Sequence, residues 1–201
     1  MAEGQNVYFS PMDRKMTLVV PLVMGTLCEC LIWSWSQGEA ESWREGVRLA
    51  ARYSGRLSFL VFLGGAALHA RLIKSRDLDK QIWLAASAMF AWVHAIHLGF
   101  LALNISQNEV ELVPVKLIGG ALAYGMILLH PLLIVRISPS AVYHRVHYGY
   151  AGFVMGVTFL ARINGDFEGA EPSWFHSAGI GVLALLLIRW LRRWWFRFQK
   201  A

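Results

Sequence analysis

Six apolar runs, at 16–36, 55–73, 82–104, 113–135, 147–163 and 174–195, constrain this chain more than any other feature. Each approaches the ~20 residues that cross a bilayer as a helix. In a membrane every backbone polar group must be satisfied internally, so such runs have to be helices. The charged fraction is 16%, against about 25% for soluble domains, and 56% of the residues are hydrophobic. The expected fold is therefore an all-α membrane protein, a six-span transmembrane helix bundle occupying 16–195. A cytoplasmic leader, 1–15, precedes it and a basic cytoplasmic tail, 196–201, follows. The first span follows a polar leader without a small-residue cleavage site, so it is expected to be retained.

Charge orients the spans. With the N-terminus inside, the inner segments hold Arg14, Lys15, Arg71, Lys74, Arg76, Lys80, Arg136, Arg145, Arg189, Arg192, Arg193, Arg197 and Lys200, which is 13 of the 19 basic residues. The outer segments hold the other six and eight of the 13 acids. This is the positive-inside pattern, and it predicts a multi-pass protein with both termini cytoplasmic. The basic residues cluster at membrane edges, so the net charge of +6 points to lipid contact and not to nucleic acid. In the longest outer loop, 37–54, Trp43, Val47, Ala50 and Ala51 recur at helical spacing. They predict a short outer interfacial helix.

Most tryptophans, Trp33, Trp35, Trp83, Trp174, Trp190, Trp194 and Trp195, fall near span ends and predict headgroup anchoring. Gly64, Gly65, Gly119, Gly120, Gly149, Gly152 and Gly156 mark expected close helix contacts. Cys28 and Cys30 lack redox or zinc spacing and are expected to be small buried residues.

Seven histidines lie in or beside the spans. Polar rings are costly in a bilayer, so an intramembrane ionisable residue implies function and a partner. Span directions sort them into an inner layer, His69, His130, His144 and His147, and an outer layer, His94, His97 and His176. The layers lie roughly 15 Å apart. Imidazole is a common axial ligand of haem iron, and two stacked layers would suit haem. The candidate cofactor-binding residues are accordingly His69, His94, His97, His130, His144 and His147. A dinuclear metal site would also need facing carboxylates. The only acid within a span is Glu29. It is a candidate proton or counter-charge site, with Arg56, Arg162 or an outer histidine as its expected partner.

Several stretches resemble the ferric-reductase-like transmembrane domain superfamily, nearest the haem-binding membrane subunit of the bacterial methionine sulfoxide reductase system. They are Tyr-Ser-Gly-Arg at 53–56, Phe-Ala-Trp-Val-His-Ala-Ile-His-Leu at 90–98 and Tyr-His-Arg-Val-His-Tyr-Gly-Tyr-Ala-Gly at 143–152. The apolar run 178–192, ending Ile-Arg-Trp-Leu-Arg, closes a similarity that covers roughly residues 45–195. The resemblance implies b-type haem, with His97 as the best match to the family's span-three ligand, His94 in the competing register, and His144 as the best match to its first span-five ligand. It also implies a transmembrane electron-transfer subunit of a bacterial inner membrane, fed by quinol or a redox partner protein. The family's second span-five histidine is replaced here by Val157 and Thr158. One haem b is therefore expected, in the inner layer, and a second only if His176 faces His94 or His97. With no Gly-x-Gly-x-x-Gly motif, the protein is at most an oxidoreductase subunit without its own flavin or nicotinamide site. The alternative is a non-haem structural or assembly subunit of a membrane complex, whose histidines make hydrogen bonds.

Overall fold

A computed structural model describes residues 11–71, 77–110, 114–137, 139–166 and 172–198. The described chain is all-α. Its helices are α1 (Pro11–Glu39), α2 (Trp43–Arg71), α3 (Asp77–Asn108), α4 (Pro114–Ile137), α5 (Ala141–Ile163) and α6 (Trp174–Phe198). Residues 1–10 of the expected leader, 199–201 of the tail, 72–76 of an inner loop and 167–171 of an outer loop lie outside the described residues. The rest of those segments is mostly helical. Residues 11–15 open α1, and 196–198 end α6.

Four segments are both long and apolar enough to cross a membrane: Thr17–Glu39, Gln81–Asn108, Leu117–Ile137 and Trp174–Arg192. This is a multi-span membrane protein. Large apolar side chains such as Leu31, Ile118, Phe153 and Leu185 are exposed on the helices, a surface suited to lipid. α2 and α5 are long enough, at 29 and 23 residues. They fall short in hydropathy because they carry Ser54, Arg56, Ser58 and His69, and His144, Arg145, His147 and Arg162, respectively. The polar residues that matter most to the site are thus the ones that weaken the span signal.

The interfacial helix expected over 37–54 does not exist as a separate element. Residues 43–54 are the first turns of the continuous α2. Val47, Ala50 and Ala51 are buried, so their periodicity marks a helix-packing face and not a lipid-facing one. Ser54 and Ser58 extend this stripe at four-residue spacing, and small residues of that kind let helix backbones approach.

The chain divides into two compact units. The first contains α1, α2, α3 and the second part of α4, from Tyr124. There α1 crosses α3 closely at Gly25, where a Cβ would lie 3.1 Å from Val93 Cγ1. One residue on, Trp92 Nε1 donates to Thr26 Oγ1 at 2.8 Å, and Thr26 Oγ1 donates to the Leu22 carbonyl at 2.9 Å. Phe59, Phe62 and Phe90 fill the core between α2 and α3. Among the described residues the closest glycine approaches between helices are at Gly25, Gly46 and Gly55, none of them in the expected set. Gly64, Gly120 and Gly149 have nothing near their Cβ positions.

The second unit contains α5, α6 and the start of α4, 114–123. Ser140 caps α5, its side chain accepting from the Tyr143 amide at 3.3 Å. The helix ends on Gly165 at φ 75, with Gly165 N bonded to Arg162 O and Asp166 N to Ala161 O. That pairing satisfies the last carbonyls and favours glycine. Tyr150 OH donates to Gly119 O at 3.1 Å, and Gly156 lies beside Leu183.

Candidate functional site

The best-defined polar constellation runs along the contacts of α2 with α1 and α3. Ser54 and Ser58 are one turn apart on α2 and both fully buried. Ser54 Oγ donates to Glu29 Oε1 on α1 at 2.8 Å. Ser58 Oγ bonds His94 Nδ1 on α3. Between them Gly55 leaves room for His97, whose Cε1 would lie 3.0 Å and Nε2 3.2 Å from an added Cβ. The three-residue spacing of His94 and His97 on α3 thus matches Ser58 and Gly55 on α2. The two imidazole centroids are 5.8 Å apart. His94 also packs on Tyr124 of α4, 4.5 Å between centroids, and on Phe90 at 5.1 Å.

Glu29 departs from its expected partners. It is 2% exposed and forms no ion pair among the described residues. Its partner is a serine that the sequence reading passed over. Arg56 instead lays its guanidinium over Tyr53, 4.7 Å from the ring centroid. The signal for the serine was present. Ala50, Ser54 and Ser58 form a small residue pattern repeating every four positions, which marks a close polar helix contact as well as a packing one.

The expected inner layer is divided. His69 of α2 and His130 of α4 both contact the Trp83 indole of α3, each with centroids 5.7 Å apart. Trp83 is 8% exposed and so is a core residue here, not a headgroup anchor. Trp33 likewise packs inward, stacked on Phe100 at 5.5 Å. Trp174 and Trp190 are exposed, as anchoring requires. His144 and His147 belong to the second unit, where both are buried on α5. His144 meets Tyr143, and His147 meets Tyr148 at 5.0 Å. Burial holds the Tyr143 hydroxyl above the ordinary tyrosine range.

His176, the third residue of α6, is 3% exposed and packs against Phe159 and Phe175. The Ser173 amide donates to its Nδ1 at 3.3 Å. Cys28 is half-buried and Cys30 exposed, not both buried as expected: Glu29 takes the inward position between them.

A six-coordinate, bis-histidine haem takes one imidazole from each of two facing elements. Within the first unit His94 and His97 both pack against α2, at Ser58 and Gly55, where α2 carries no histidine. Among the described residues no group of three or more His, Cys, Asp or Glu side chains is placed to hold a metal ion. No protein-family model, curated protein or solved structure matches the chain.

Proposed function

We propose that this chain is a structural or assembly subunit of a membrane complex, whose span-three histidines lock helices together. The observation that carries this reading is the pairing of His94 with Ser58 and of His97 with Gly55, which engages both rings inside the α2–α3 contact. Interhelical bonds of this kind supply what burial cannot, because lipid is as apolar as a leucine core. Six crossings are supported by the six apolar runs, and the bias of basic residues favours both termini on the inner side. Purified protein should lack b-type haem absorption with and without dithionite. A stoichiometric low-spin haem would remove this reading.

A second reading is favoured by the burial of His144 and His147 at the start of α5. There the resemblance to ferric-reductase-like domains puts a haem ligand. In that case the protein is a b-type haem electron-transfer subunit drawing on quinol or a redox partner protein. Haem would supply one-electron transfer. His144 would be the iron ligand that α5 supplies. A hydroxyl bonded to Nδ1, as Ser58 is to His94, is also how a neighbouring group fixes the ring of a metal-bound histidine. Under this reading, replacing His144 and His147 by Ala abolishes the haem bands.

A further inference from the structure

We propose that Glu29 is a reversible proton-binding site, reached from the C-terminal end of α1 along Ser36 and Gln37. The proposal is independent of whether the protein binds haem.

Three side-chain polar atoms on α1 are buried without a hydrogen-bond partner: Glu29 Oε2, Ser36 Oγ and Gln37 Nε2. Ser36 is seven residues beyond Glu29, two turns along the same helix face. Gln37 follows it, its amide lying against Gly46 at the start of α2. The helix ends at Glu39. The atoms therefore mark a line of about 12 Å from the carboxyl toward the helix end. Buried polar atoms left without protein partners are the places where ordered water binds. Ser36 and Gln37 therefore offer water two binding positions between the helix end and the carboxyl.

The carboxyl at the far end is suited to bind a proton. Ser54 Oγ donates to Oε1, which leaves Oε2 to take the proton. An unpaired carboxylate deep in a bilayer is costly. A hydronium arriving along the route protonates Oε2 and leaves as water, and release reverses the step. The other titratable and charged groups around Glu29 are His97, which lies on Gly55 beside Ser54, and Tyr53 with Arg56 on α2. Cys28 and Cys30 flank it on α1, and the Glu45–Arg48 pair lies near the start of α2. None of these is bonded to Oε2. A metal cation is disfavoured by ligand count: Glu29 and Ser54 offer three oxygens, against the six or so that hard cations take.

The test uses the full chain in lipid nanodiscs treated with dicyclohexylcarbodiimide, which reacts with protonated carboxyls in apolar surroundings. Peptide mass spectrometry should find the adduct on Glu29, and Glu29→Gln should lose it. Infrared spectroscopy should show a protonated-carboxyl band that disappears in the same variant. Ser36→Val should slow hydrogen–deuterium exchange of that band, whereas a purely structural serine would leave it unchanged. Labelling of the wild-type protein does not depend on any variant folding. Absence of the Glu29 adduct, or its suppression by sodium ions, would overturn the proposal. Unchanged exchange in Ser36→Val would overturn the route.

Discussion

Ser58 on α2 and His94 on α3 are joined by a direct side-chain hydrogen bond, buried in the first unit. Ser58→Ala removes that bond and leaves His94 Nδ1 facing an apolar methyl. The expected loss is about 0.6–1.7 kcal/mol, the span measured for interhelical bonds in membranes. Unfolding in mixed micelles measures it. A loss indistinguishable from zero would mean that the bond does not hold α2 to α3.

Gly55→Ala should destabilise by about 1–3 kcal/mol, because the new methyl meets the His97 ring at 3.0 Å. Removing the ring should relieve the clash. Gly55→Ala combined with His97→Ala is therefore expected to be more stable than the two single losses added together. Strict additivity would show that the two residues are not in contact.

Gly165 ends α5 in a left-handed conformation, and Ala there should cost about 1–2 kcal/mol. Asn, which tolerates this conformation better, should cost less. Melting temperatures of the two variants decide it, and equal values would argue against the glycine-capped end.

Topology can be read with single cysteines in a Cys28→Ser, Cys30→Ser background. Lys74→Cys should be protected from a membrane-impermeant maleimide in intact cells, and Glu111→Cys should react. Labelling of both from outside would show that α3 does not cross. Labelling of Lys74→Cys with protection of Glu111→Cys would reverse the charge argument.

Much of the architecture was legible in the chain. The apolar runs located six helices, because a bilayer leaves backbone polar groups no other way to be satisfied. Their ends were less legible. The periodicity of Val47, Ala50 and Ala51 correctly indicated a helix, but periodicity does not say whether an apolar face meets lipid or protein. That ambiguity made an interfacial helix out of the first turns of α2. The histidines stood out because polar rings are rare in membranes; His69 and His130 of the inner layer meet at Trp83, and His94 and His97 of the outer layer lie side by side on α3.

What each ring touches was decided by tertiary structure. His94 finds Ser58, His97 finds Gly55, and Glu29 finds Ser54 in place of an arginine, since each partner sits on another helix. The distances between helices depend on small residues such as Gly25 and Gly55, whose importance lies in the side chain opposite and not in their own chemistry. Sequence by itself determined that the chain is helical, membrane-embedded and basic at one membrane face, because solvent and lipid act on each segment separately. Only the packing of α1, α2 and α3 turned two serines and a glycine into the partners of its buried carboxyl and imidazoles, because such contacts require several helices at once.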